Sequence, residues 1–363
     1  MGRTFAMSKY QITLTPVDKF FFGGDMTFSV GDDKRFNEQF SSYIIQSSLF
    51  PQQTSLLGML RFLILRNHPE CFDGDKINQG KAGNLIGHRS FSVSPGHTKN
   101  NFGSINNLSH IRVRRKIGSQ CIDLDFAPLF DAIDLGGAAE GIYNDNYFCI
   151  PPILKKTYNA KDGLYAYLTD GVKKYRLDEI FVKDRRVGID RNIETGKVEE
   201  AALYKQISYR FNNRRTQYCF VFEADVADSL KLEEYNGQMV SVGGDNSQFI
   251  IGISNVVLLN PDINSVENAV YLLSPTFLTR EDVSKASFAV TRLLPFRFLE
   301  SEIMTDPKSY NILNRKLKRS EKKYELYDAG SIFYFNQEND RQDFISAINN
   351  KQDFKQIGYN EYK

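Results

Sequence analysis

Apolar and polar residues alternate from Tyr10 to Val17 (YQITLTPV), and the period of two with β-branched positions predicts a strand. Pro16 has no N–H to donate and limits how far that ladder continues. FFGGDMTF follows, where Gly23 and Gly24 admit backbone conformations that other residues resist. The period then changes. In FPQQTSLLGMLRFLILRNHP, Leu56, Leu57, Leu60, Leu63 and Ile64 recur at helical spacing, Thr54 or Ser55 supplies a cap, and Pro69 stops the helix. The chain thus opens as strand, glycine-rich loop, amphipathic helix.

Further on, IRVRRKIG (111–118) alternates again, with Arg112 and Arg114 on one face of an extended segment and Ile111, Val113 and Arg115 on the other. Pro151 and Pro152 mark a break, and Glu194–Gly196 carry a hairpin-like turn signal. QYCFVFEADV (217–226) is the clearest strand. GGDNSQFIIGISNVVLL joins a glycine-rich turn at Gly243 and Gly244 to another strand. DSLKLEEY reads as a short helix, AGSIFYFN as a strand and RQDFISAINN as a final helix. The stripe Leu313, Leu317, Tyr324 in NRKLKRSEKKY fits a short basic helix. Strands alternate with few, short helices in both halves, which predicts an α+β fold rather than a doubly wound sheet. The spacing suits two ferredoxin-like, RRM-related units of order β-α-β-β-α-β, with long insertions and glycine-rich loops. They are expected at 1–195 and 196–363.

The chain has 363 residues, 41% hydrophobic and 25% charged, which excludes general disorder. No apolar run is long enough to span a bilayer, and MGRTFAMSKY lacks the apolar middle of a signal peptide. Cys71, Cys121, Cys149 and Cys219 are scattered without a CxxC pair, as in reduced thiols of a cytoplasmic protein. There is no GxSxG, HExxH or GxGxxG, and GDKINQGKA has the wrong glycine spacing for a phosphate loop. Asp18, Asp25, Asp32 and Asp33 lie in turn-prone loops and do not have metal-ligand spacing. No metal or cofactor is expected. His88, His97 and His110 fall close enough in sequence to raise acid–base RNA cleavage, but they sit in Asn- and Gly-rich loops where exposed histidine is common.

Net charge is only +2, so the distribution of basic residues matters more than their number. Arg112, Arg114, Arg115 and Lys116 stand together without an acid, either as a phosphate-tracking strand face or as a solvated edge. Lys183, Arg185, Arg186 and Arg191 surround Val187–Gly188–Ile189, and Gly188 permits close approach of a ligand backbone. Arg210, Arg214 and Arg215 flank an Asn pair. The phenylalanines and tyrosines of QYCFVFEA and AGSIFYFN lack the order of a ribonucleoprotein motif and are expected in the core.

Taken together, four segments resemble the RAMP superfamily of CRISPR effector proteins. The opening is similar to the third-subunit family of the type III-B Cmr complex, with its P-x-D-x-x-x-F strand and FP-x-x-x-x-x-G-x-x-R helix at Pro16, Asp18, Phe22, Phe50, Pro51, Gly58 and Arg61. VGIDRNIETGKVEEAALY resembles a RAMP segment, and AGSIFYFN and IGYNEY resemble the last strand and closing glycine motif. The resemblance implies a non-catalytic cytoplasmic subunit that grips the repeat-derived 5′ handle of the CRISPR RNA. It implies contacts with the large cyclase subunit and the backbone RAMP subunits, meets target RNA only indirectly, and involves no membrane. Residues expected near RNA are Gly23, Gly24, Thr54, Gly58, Arg61, Arg112, Arg114, Arg115, Lys116, Arg185, Arg186, Gly188, Arg191, Gly243 and Gly244. Two alternatives stay open: a RAMP endoribonuclease using one of the three histidines on precursor CRISPR RNA, and the equivalent subunit of a type III-A or III-D complex.

Overall fold

Strand β1 (Met7–Pro16) buries Tyr10, Ile12 and Leu14 on one face, as its alternation requires, and takes a central place in the largest sheet. This is a computed structural model that describes residues 7–24, 26–33, 38–88, 90–93, 100–129, 143–144, 147–148, 166–191, 195, 198–214, 216–243, 245–255, 268–301, 317–319 and 322–363. After β1 come β2 (Met26–Asp33), β3 (Glu38–Gln46), helix α1 (Gln53–Arg66) and helix α2 (Gln79–Ile86). Next are β4 (Ile105–Leu108), β5 (Arg112–Ile117), β6 (Gln120–Phe126), β7 (Tyr167–Thr169) and β8 (Lys174–Arg176). A long hairpin, β9 (Phe181–Arg191) with β10 (Val198–Phe211), precedes β11 (Gln217–Ala227), β12 (Met239–Val242) and β13 (Ser247–Asn255). The C-terminal part contains β14 (Ala269–Tyr271), β15 (Phe288–Val290), β16 (Ile332–Tyr334) and helix α3 (Glu338–Asn349).

The first sheet has the order β8-β7-β6-β5-β11-β1-β13-β12, with β4 also paired to β11. A second sheet runs β9-β10-β3-β2, and a third β14-β16-β15. The fold is α+β with mostly antiparallel sheets and few helices. A split βαβ unit sets strands parallel through a crossover. Every pair in the first sheet is antiparallel, as neighbours in a β-α-β-β-α-β sheet also are because a third strand separates the two parallel ones, and among the described strands β10 pairs with β3 in parallel. The division expected at 195/196 falls between β9 and β10, which pair from Phe181↔Phe211 to Arg191↔Val198. Leu317–Arg319 is a strand paired with Leu299–Ser301, not part of a basic helix.

The core lies between the buried face of the first sheet and α1, whose Leu56, Leu57, Leu60, Leu63 and Ile64 are buried as predicted. Phe20, Phe181, Phe211, Phe220 and Phe249 interlock there, and of the aromatic residues in QYCFVFEA and AGSIFYFN, Phe220, Phe222, Phe333 and Phe335 are buried while Tyr218 and Tyr334 are half-buried. Gln52, rather than Thr54 or Ser55, occupies the N-cap of α1 and makes no side-chain cap bond. The closing glycine motif sits at that end. Gly358 has φ +85°, and a Cβ there would overlap the Gln53 side chain, which itself donates to Ser109 O over 3.0 Å. The C-terminal segment is thereby locked against the start of α1.

Candidate nucleic-acid interface

Two glycine loops meet where β1 leaves the first sheet. Beyond Pro16 the chain crosses to the second sheet: Phe20 N–H donates to Tyr209 O over 2.7 Å, and Tyr209 N–H donates back over 3.0 Å. Phe21 N–H donates to Ser247 Oγ and Phe22 N–H to Ser47 Oγ. A Cβ on Gly24 would overlap the Gln46 carbonyl oxygen. Gly243, at φ +81°, lies with its Cβ position 3.2 Å from Phe21 O, while Gly23, also at φ +81°, has open space there. The loops expected to approach RNA therefore approach each other, and close packing accounts for Gly24 and Gly243. Gly244 lies outside the described residues.

Helix α1 presents its expected residues differently. Thr54 and the backbone of Gln53 face the phenol of Tyr359, whose pKa burial pushes up despite them. Arg61 is turned onto the neighbouring loop: its Nη2 donates to Asn101 O over 2.7 Å and its guanidinium stands 5.5 Å from the centre of the Phe102 ring. Burial lowers its pKa to about 10, still well above neutrality. Arg61 is thus an anchor for the loop ahead of β4. Gly58 is exposed on the helix, with nothing near a Cβ position.

The basic strand β5 is also not the free cationic face its sequence suggests. Arg112 and Arg114 do share a face, but carboxylates from the flanking strands fill it. Arg112, 4% exposed, lies 3.0 Å from Glu223 on β11 and 3.8 Å from Asp123 on β6. Arg114 bonds Asp123 and, over 2.7 Å, Gln11. Lys9 completes the lattice, 2.9 Å from Glu223, and together with Arg112 holds that carboxyl low although burial alone pushes it up. On the other face Arg115 stands 5.1 Å from the centre of the Tyr175 ring and 3.1 Å from its hydroxyl. Lys116 alone of the four is exposed. Arg112 and Arg114 are structural cations because a sheet surface that takes two guanidiniums out of water must neutralise them.

His110 belongs to the same network, with Nε2 3.0 Å from Asp125 Oδ2. Burial acts to raise the Asp125 pKa, but His110 and Arg112 outweigh it and the net shift is downward from 3.8. A carboxyl depressed by folding stabilises above its unfolded value, and that stabilisation is lost as pH falls through its folded value. Glu361 nearby, raised by burial, works in the opposite sense. Asp125→Asn is therefore expected to flatten the decline in stability below about pH 4 seen by urea unfolding. An unchanged acid limb would show that Asp125 does not titrate with folding. His88 is exposed against Gly83, and His97 lies outside the described residues. No group of three or more His, Cys, Asp or Glu suited to a metal occurs among the described residues. Cys71, Cys121 and Cys219 are free thiols, and Cys149 is outside the description.

The β9–β10 hairpin shows the opposite electrostatics. Lys183, Arg185 and Val187 alternate onto one face of β9, and Lys205 lies opposite Val187 on β10. The three cations have no ion pair with a described residue, and Val187 is 65% exposed. The reverse face carries Asp184, 3.6 Å from Lys19 and 3.8 Å from Arg186, with Arg210 opposite Val182. Gly188 pairs with Tyr204, and Arg191 closes β9 opposite Val198. Lys205 was missed in the sequence because only the hairpin register sets it beside Arg185. At the root of the hairpin a cleft is lined by Pro16, Asp18, Arg210 and Arg214 among others. No helix among the described residues is long and apolar enough to cross a membrane.

No curated protein matches this chain. Among solved structures, it resembles a chain of the type III-B Cmr-beta complex bound to cognate target RNA and AMPPnP (cryo-EM, state 1), with TM-score 0.52, 15% identity, and coverage of 97% of this chain and 95% of that one. A chain of the same complex bound to cognate target RNA gives TM-score 0.52, 16% identity, and coverage of 97% and 96%. At such identity the likeness speaks for the fold. The family model described as CRISPR-associated protein (Cas_Cmr3) matches residues 152–362, more than half of the chain. The protein accordingly belongs to the Cas_Cmr3 family of CRISPR-associated proteins, a family of type III-B Cmr subunits.

Proposed function

We propose that this chain is a non-catalytic cytoplasmic RNA-binding subunit that grips the repeat-derived 5′ handle of the CRISPR RNA and joins the large cyclase subunit to the RAMP backbone of the Cmr complex. The observation that carries the RNA reading is the hairpin face bearing Lys183, Arg185 and Lys205 without a described counter-ion. Cations two residues apart on a strand recur about every 6.8 Å. Such a row suits successive phosphates of an extended single strand, and exposed Val187 offers apolar contact to a sugar or base. The neighbours of similar fold come from complexes bound to target RNA, which agrees with work inside a ribonucleoprotein. On this reading the compensated face of β5 supports the sheet while the hairpin meets RNA, and the near-neutral total charge is no obstacle.

The test is electrophoretic binding of the full chain to a CRISPR RNA with and without its 5′ handle, over a salt series. Preferential binding to the handle RNA that weakens steeply with salt is expected. Equal binding to both RNAs would contradict handle selection by this chain, and metal-independent cleavage of a precursor RNA would favour the endoribonuclease branch.

A further inference from the structure

The cleft at the root of the hairpin has a volume of about 550 Å³, the size of a small-ligand site. Its walls come from the end of β1, the start of β9 and the turn between β10 and β11: Pro16, Asp18, Val182, Arg210, Asn213 and Arg214. The turn is fixed before any ligand arrives. Asn212 N–H donates to Ile180 O over 2.8 Å and its side-chain amide to Glu179 O over 3.0 Å. Asn213 Oδ1 accepts from Tyr218 N–H, which leaves its NH₂ group to face a guest. Arg210, Arg214 and Asp18 are exposed, and none of their side chains hydrogen-bonds or ion-pairs with another described residue. Two cations and one carboxylate around an apolar step of Pro16 and Val182 call for a guest with an anion at one end and N–H donors at the other.

We propose that this cleft seats one unstacked nucleotide of the bound RNA, with its phosphate between Arg210 and Arg214 and the amino-bearing edge of its base against Asp18. The proposal rests on the RNA-binding reading above. An acidic peptide would satisfy the arginines but set a second carboxylate beside Asp18. A nucleotide carries its charge and its donors apart. Guanine presents two adjacent N–H groups to a carboxylate, adenine and cytosine an amine, whereas uracil presents one N–H between two carbonyls, so uracil is the base disfavoured here.

The experiment is an abasic scan of the 5′-handle RNA, measuring its affinity for the full chain with wild-type sequence, with Asp18→Ala and with the isosteric Asp18→Asn. One handle position is expected to lose about tenfold in affinity when its base is removed or replaced by uracil in the wild type and little in Asp18→Ala, while Asp18→Asn, whose amide both accepts and donates, is expected to lose the discrimination against uracil. Should the handle bind tightly while all three proteins give the same scan profile, the cleft proposal is overturned and the RNA reading stands. If the wild type binds the handle no better than an unrelated RNA, the RNA reading fails and takes the cleft with it.

Discussion

Arg112→Ala is expected to cost about 3–5 kcal/mol of folding stability, because it leaves buried carboxylates without their cation. Glu223 lies 3.0 Å from Arg112 and retains Lys9 at 2.9 Å, which places the cost toward the lower end; Asp123, nearly fully buried, retains Arg114. Urea unfolding gives the magnitude. The double variant Arg112→Met, Glu223→Met is expected to recover much of the loss, since removing both charges also removes their desolvation penalty. RNA affinity per folded molecule should stay unchanged in Arg112→Ala. A loss of stability under about 1 kcal/mol combined with weakened RNA binding would return Arg112 to the interface and contradict its structural role.

Replacing Lys183, Arg185 and Lys205 together with glutamine is expected to act the other way round. All three side chains lie on the hairpin surface, outside the described ion pairs, so folding stability should change little. Three lost phosphate contacts at about 1 kcal/mol each correspond to a loss of affinity of roughly a hundredfold. The slope of log affinity against log salt should fall by about 2, from about 0.7 per contact on a single strand. The same substitutions on the reverse face, Lys19 and Arg186 to glutamine, meet cations already engaged by Asp184 and should lower the slope less.

The opening strand, the helix after it, the aromatic cores and the final helix were all legible in the sequence, because period and burial act locally. Charge was not. Arg112 meets Glu223 across 111 positions of sequence and Arg114 meets Gln11 across 103, so a run without acids became a compensated lattice once the strands paired. Lys205 escaped notice for the converse reason: its neighbours in sequence are unremarkable, and pairing alone brings it to the cationic face. Asp18 was singled out through the family motif, but its meeting with Arg210 and Arg214 depends on β1 ending where the hairpin begins. The ferredoxin-like expectation came from the order of elements, which does not say how the inserted strands pair. In the first sheet neighbours run antiparallel throughout.

The central claim, that the cationic hairpin face meets the RNA, is tested most directly by photocrosslinking in a Cmr complex assembled on CRISPR RNA. A benzophenone amino acid is placed at Val187, and in a second preparation at Val172, which is 96% exposed in the turn between β7 and β8. The account predicts a crosslink from position 187 that maps to the 5′ handle, and none from position 172. A crosslink to RNA from 172 with none from 187 would place the nucleic acid on the other side of the first sheet's edge and contradict it.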